Sequence, residues 1–169
     1  MRPVDNINYW KERLELAKKQ GHLHYSVYLA VDHLWNRVHD IHMEILKREI
    51  KPTDKVLDIG CGYGRMSPYF DHYTGIDFSP DFIKEAKELH PGKKFIKGRI
   101  EKMRFKDKQF DVGFAISMKA MIVGNLGEAV WQPMEEECKR VCKKVLLLEY
   151  GKLESRFDSD EDVGKYEIL

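Results

Sequence analysis

Three features of this chain could do chemistry together: a glycine-rich turn, a carboxylate entering it, and a second carboxylate further on. The turn is Gly60-Cys61-Gly62-Tyr63-Gly64, preceded by the apolar run Val56-Leu57-Asp58-Ile59. Glycine at every second position removes the Cβ atoms that would hold a ligand away from backbone N–H groups. Asp58 stands two residues before the first glycine, and Asp77 ends the next apolar run. Glycines under the tail of a nucleoside, with an acid accepting both ribose hydroxyls, would use these groups.

The elements that must position them follow from periodicity. Tyr9 to Gln20 reads as a short amphipathic helix stopped by Gly21. His24 to Ile50 reads as one long helix, with Val27, Val31, Leu34, Val38, Ile41 and Ile45 along one stripe. Strands are expected at Lys55–Ile59, Tyr73–Asp77, Lys94–Lys97, Phe110–Ser117 and Val145–Tyr150. Ser79-Pro80-Asp81 starts a helix with a hydroxyl cap, a proline in the first turn and an acid at the positive dipole end. Pro133 is expected to open another that ends near Cys142. Strands separated by helices predict an α/β fold with a mainly parallel sheet and right-handed crossovers.

Bulk properties set the class. The 169 residues suit one domain; 43% are apolar and 34% charged, with net charge +1. No apolar run is long enough to span a bilayer, and the first ten residues contain no signal-peptide core. Cys61, Cys138 and Cys142 cannot all pair, and no CxxC spacing exists, so a reducing, cytoplasmic setting is expected. Cys138 and Cys142 are expected on one helix face. The basic run Lys93, Lys94, Lys97, Arg99, Lys102, Arg104, Lys106 and Lys108 reads first as protection of an exposed sheet edge. Binding of an anionic partner is the alternative.

A dinucleotide enzyme would follow GxGxxG, but the third glycine position holds Arg65 and the pattern is GxGxG. A carboxylate at Asp58 is also unhelpful beside a pyrophosphate. Near a sulfonium and an α-amino group it is an asset.

At these residues the chain resembles the class I S-adenosylmethionine-dependent methyltransferases, over about Asp54 to Tyr150. Asp58 to Gly64 looks like the family's first motif, and Gly75-Ile76-Asp77-Phe78-Ser79 like its second. The resemblance implies Asp77 on the ribose and Phe78 beside the adenine. Gly98-Arg99-Ile100-Glu101 stands where many relatives have Gly-Asp-Ala-Glu. Ile100 can supply the N–H to the adenine ring, whereas Arg99 replaces the Asp that meets its amino group. Phe110 to Ser117 resembles the fourth strand, whose end faces both cofactor and substrate. Glu137, Arg140 and Val141, with Val145 to Glu149, resemble the helix and strand that follow.

The resemblance therefore implies a Rossmann-like three-layer sandwich as a single domain, 1–169, with S-adenosylmethionine as cofactor and S-adenosylhomocysteine as product. Residues 1–50 would form a helical lid, 51–150 the cofactor-binding core, and 151–169 a shortened version of the family's C-terminal hairpin. The candidate cofactor residues are Asp58, Gly60, Cys61, Gly62, Gly64, Asp77, Phe78, Arg99, Ile100, Glu101 and Ser117. Neither a catalytic residue nor a metal site is singled out. Ser117-Met118-Lys119-Ala120 replaces the Asn/Asp-Pro-Pro-Tyr of base methylation, and no Pro-Cys occurs. A small-molecule acceptor is expected, with no duplex nucleic acid or membrane partner, in a monomer or homodimer. The alternatives are a non-catalytic S-adenosylmethionine-binding or regulatory subunit, and an NAD-dependent oxidoreductase.

Further residues invite a role. His24, Tyr25 and Tyr28 would suit an aromatic lid over a sulfonium, or simple packing of the helix on the sheet. Arg13 would suit a carboxylate, or a solvated helix face. Glu149 and Tyr150, ending the fifth strand, would border the substrate or serve structure alone. Finally, Val145 to Glu149 reads as a strand flanked on both edges. Lys165 to Leu169 alternates like a strand, and is expected to return antiparallel to the fifth strand unless a second subunit covers that edge.

Overall fold

The structure is a computed structural model, and it describes residues 6–27, 32–149 and 166–169. Helix α1 (Ile7–Gln20) starts two residues before the expected Tyr9, capped by the Asn6 side chain, and ends as expected at Gly21, in the left-handed region. The long helix expected from His24 is shorter. A 3-10 turn occupies Leu23–Ser26, held by the Ser26 hydroxyl donating to the Leu23 carbonyl, and α2 spans Asp32–Glu49. Serine's local bond competes with helix continuation there. Tyr28 lies outside the described residues.

Six strands follow: β1 (Val56–Ile59), β2 (Tyr73–Asp77), β3 (Lys94–Lys97), β4 (Phe110–Ile116), β5 (Cys142–Leu148) and β6 (Tyr166–Ile168). Helix α3 (Pro80–Leu89) joins β2 to β3, while α4 (Met118–Leu126) and α5 (Glu128–Val141) join β4 to β5. The sheet order is β3-β2-β1-β4-β5-β6, with only β6 antiparallel. Chain progression thus reverses between β1 and β4, which places a crevice at their C-terminal ends.

Side chains alternate across the sheet, which makes the three layers. On one face Val56, Phe95, Phe114, Leu146 and Leu148 pack with Leu46 and Met43 of α2 and Ile83 of α3. On the other, Leu57, Ile59, Val145 and Leu147 pack with Trp131, Cys138 and Val141 of α5. Leu146, Leu147 and Leu148 are buried from both sides, as their unbroken apolar run implies.

Three local expectations need correction. Pro133 lies inside α5 rather than opening it, with Trp131 and Met134 buried around it. The sacrificed hydrogen bond falls near the helix start, where packing of those side chains offsets it. Strand β5 starts at Cys142, so Cys138 and Cys142 share an apolar cluster but not a helix face. Lys143 and Lys144 join the strand because Asp111 and Glu49 receive their ammonium groups. Helix α4 was not expected.

The first part of the basic stretch forms the edge strand β3, where Lys94 and Lys97 are exposed, and Arg99 to Lys108 follow it outside the sheet. That is the arrangement that blocks edge pairing. At the opposite edge the tail strand β6 pairs antiparallel with β5, with Leu147 opposite Glu167. The Tyr166 hydroxyl donates to Glu49 at 2.8 Å and accepts from Arg48 at 2.7 Å, tying the tail to the end of α2.

His42 of α2 is fully buried, and its Nε2 lies 3.2 Å from the Glu149 carbonyl just past β5. Burial first, and then the Arg65 charge, push its pKa from the ordinary histidine value down to about 4. The folded protein holds this ring neutral where the unfolded chain protonates it. Its contribution is therefore present above pH 6.5 and lost as pH falls towards 4, by about 3 kcal/mol. Asp58 opposes it, because its raised pKa makes the folded state hold a proton the unfolded chain has lost. Denaturant melts of the native protein and His42→Gln isolate the histidine: stability relative to the variant should fall as the medium is acidified through that window. A pH-independent difference would contradict the assignment. A second outcome concerns the tail. The Val145 N–H donates to the Leu169 carbonyl at 3.1 Å, so deletion of residues 166–169 should speed hydrogen exchange at Val145 by about tenfold or more, measured by NMR.

Candidate functional site

The crevice between β1 and β4 opens into a cavity of about 390 Å³, a size suited to a small organic ligand. Its floor is the turn leaving β1. Gly60 has φ of 75°, and a Cβ there would stand 2.6 Å from Met118 Sδ, so a side chain would strain the turn and fill the cradle. The next turn, after β2, is fastened to it by Asp77. One carboxylate oxygen accepts from the Gly62 N–H at 3.0 Å, and the other from the Ser79 N–H at 2.9 Å. The Phe78 N–H bonds the same carboxylate, whose roughly four acceptor sites still leave room for a ligand. Burial raises the Asp77 pKa, against the pull of those N–H groups.

Of the residues expected in the site, Asp58, Gly60, Cys61, Gly62, Asp77, Phe78, Arg99, Ile100, Glu101 and Ser117 line this one cavity. Gly64 does not. It packs under Phe95 and His90, where a Cβ would stand 2.6 Å from the Phe95 ring. It therefore serves the bend of the turn rather than the ligand space. Arg99 donates to Glu101 at 2.8 Å on the rim. Ser117 has φ of 55° at the end of β4, a left-handed conformation that serine rarely adopts. Cys61 is buried, and burial pushes its thiol well up, which favours the neutral form.

Asp58 is the electrostatic centre of the floor. It is 4% exposed, and the Tyr73 hydroxyl donates to its Oδ2 at 2.6 Å. Desolvation dominates and pushes its pKa up to about 7, against that hydrogen bond and the Arg65 charge.

Several cavity residues were not foreseen. Helices α4 and α5 contribute an apolar wall of Met118, Met121, Ile122, Leu126, Val130 and Met134. Arg65, just beyond the glycine turn, is one of two arginines that line the cavity. Its guanidinium stands over the Trp35 ring at 4.8 Å and lies 2.7 Å from His39 Nδ1. Arg13, by contrast, donates to the Tyr9 hydroxyl and the Tyr25 carbonyl, both at 2.8 Å, and lies outside the cavity. The N-terminal segment does reach the site, but through Trp10 and Val27. His24 and Tyr25 instead stack in a ladder with Trp35 and His22. The Glu149 carboxylate accepts from the Ala120 N–H at 3.2 Å, capping α4 from just past the end of β5. It serves the wall in that way without lining the cavity.

The family described as a methyltransferase domain matches residues 57–145. The human eEF1A lysine and N-terminal methyltransferase is 28% identical over 120 residues, 66% of this chain and 16% of that protein. The demethylmenaquinone methyltransferase of Chlorobaculum tepidum is 29% identical over 110 residues, 60% of this chain and 45% of that protein. Among solved structures, the PH0226 protein of Pyrococcus horikoshii OT3 aligns with a TM-score of 0.61 at 27% identity, over 75% of this chain and 58% of that one. The chain thus spans less than half the length of these curated relatives. Among the described residues, no helix is long and apolar enough to cross a membrane.

Proposed function

This chain belongs to the class I S-adenosylmethionine-dependent methyltransferases, and on that premise we propose that it transfers a methyl group from S-adenosylmethionine to a small-molecule acceptor. The observation that carries the reading is the cavity itself. It combines polar groups, the open glycine turn, Asp58, Arg65 and Asp77 at the end of β2, with an apolar wall from α4 and α5. A molecule with an amino-acid end, a ribose and an aromatic base matches that combination of surfaces.

On this reading Asp77 accepts the ribose hydroxyls, and Phe78, Ile100 and Met118 enclose the base. Asp58 faces the positive charge of the amino-acid end, and Arg65 takes its carboxylate, the part first considered for Arg13. S-Adenosylmethionine supplies an activated methyl on a sulfonium. The residues of this chain have to bind it, exclude water and hold the acceptor in line, and such positioning is worth roughly 7–11 kcal/mol. A general base is required only where the acceptor carries a proton that must leave.

A net charge of +1 supports a small acceptor, since nothing in the bulk charge favours a polyanion. The basic run also has structural employment, with Lys93 and Lys108 donating to backbone carbonyls and Arg99 paired to Glu101. Incubation with S-adenosylmethionine and a metabolite extract should release S-adenosylhomocysteine. Turnover only with protein or nucleic acid substrates would overturn the small-acceptor reading, and no turnover with any of them would favour a binding subunit.

The cofactor assignment has its own test. Asp77→Ala should weaken S-adenosylmethionine binding by about 1.5–3 kcal/mol, the scale of hydrogen bonds to a charged group. Calorimetry would measure it, with a thermal melt to confirm that the variant folds. Unchanged affinity would remove Asp77 from the site.

A further inference from the structure

Behind the cavity floor sits a hydroxyl–carboxylate pair that the cofactor reading does not itself require. Asp58 is paired across the sheet with Gly75, so Tyr73 lies two residues back along β2 on the same face. The tyrosine ring runs along that face, and its hydroxyl reaches past Gly75 to Asp58 Oδ2 at 2.6 Å. The path is open only because residue 75 has no side chain. A Cβ there would stand 2.9 Å from the Tyr73 oxygen and 2.8 Å from Cys61 Sγ. Both partners are at most 5% exposed, so the contact is shielded from bulk solvent. Asp58 lines the cavity, whereas Tyr73 does not.

We propose that Tyr73 is a positioning residue: it holds Asp58 from behind as the acceptor of the cofactor's positive charge, so that capture of the cation expels a proton from the carboxyl. This rests on the reading of the cavity as an S-adenosylmethionine site.

The groups that face Asp58 set the direction. Tyr73 comes from β2, Cys61 from the glycine turn, Asp77 from the end of β2, and Arg65 from just beyond the turn. The Tyr73 hydroxyl and Cys61 thiol are neutral, since burial raises both far above their ordinary values. Asp77 disfavours a second negative charge, and Arg65 favours it, but burial outweighs both. An empty floor therefore holds a partly protonated carboxyl near neutral pH. A cation arriving over it supplies the missing counter-charge, the carboxyl ionises, and one proton goes to solvent. The tyrosine O–H donates to the ionised form and so favours it. Without that donor, Asp58 should keep its proton to higher pH.

A tyrosine that merely fills space would make a different prediction. Its loss would weaken binding by the same factor at every pH. The experiment is calorimetric binding of S-adenosylmethionine to the full chain and to Tyr73→Phe, from about pH 5.5 to about pH 8.5, in buffers of differing ionisation enthalpy. Native affinity should rise about tenfold or more from pH 5.5 to neutrality, with release of up to one proton. Tyr73→Phe should bind several-fold more weakly than the native protein at acid pH, and the gap should close at the alkaline end. The cofactor's own amino group titrates identically against both proteins and cancels in their ratio. A ratio independent of pH, or native affinity flat across the acid range, would overturn the proposal while leaving the cofactor site standing. Failure of the native protein to bind S-adenosylmethionine at any pH would instead overturn the site, and this inference with it. Asp58→Asn is the second variant should Tyr73→Phe not fold. It should lose the acid-side slope, and a native slope in that variant would also overturn the proposal.

Discussion

The Asp77 carboxylate is the joint on which the site depends. The turn after β1 and the turn after β2 are separate pieces of chain, and neither closes a cavity alone. One side chain, accepting from the Gly62 and Ser79 N–H groups, fixes both relative to each other. Because the carboxylate is buried, those two bonds operate at low dielectric, where each is stronger than it would be at the surface. The same acid opens helix α3, since Ser79 then caps it by accepting from the Phe82 N–H. A contact that reads at first as ligand chemistry is equally a structural clamp, and the two uses are compatible because the carboxylate has more acceptor sites than the backbone N–H groups fill.

The clamp explains why the floor tolerates so much buried acidity. Asp58 and Asp77 are neighbours on adjacent strands, both desolvated, and two unpaired charges there would be costly. The structure distributes the burden differently for each. Asp77 is met by backbone N–H groups that cannot titrate, whereas Asp58 is met by a single phenol and by Arg65 at longer range. One carboxylate is thus committed to the scaffold and the other is left responsive to whatever enters the cavity.

Legibility in the sequence followed the range of the interactions. Strands β1 to β3, helix α3 with its Ser79 cap, and the glycine turn are set by neighbours in the chain, and all could be read there. The tail strand was legible for a second reason: the apolar run Leu146 to Leu148 demanded a partner, and the alternation from Lys165 onward offered one. Helix α4 was not legible. Met118 to Leu126 is apolar almost all round, so it carries no periodicity, and Ser117 makes no side-chain cap. The cap comes from Glu149, just past β5 and far away in sequence. Arg65 was visible only as a departure from a dinucleotide pattern. Its direction is decided by Trp35 and His39 on α2, far away in sequence.

Apart from Arg65, Trp10 and Val27, what could not be read lies on the α4–α5 side of the cavity, and the division has a physical origin. The floor is built where two parallel strands end, and their register is imposed by the sheet. The apolar wall of α4 and α5 is held only by side-chain packing and by the non-local Glu149 cap. Three methionines, Met118, Met121 and Met134, dominate that wall, and unbranched thioether side chains adjust to irregular shapes at little cost. A wall with these properties adapts to what it encloses, whereas the floor dictates position. The rigid half of the site is where local sequence rules and backbone hydrogen bonding agree. The adjustable half is where they fall silent, and only the folded arrangement reveals it.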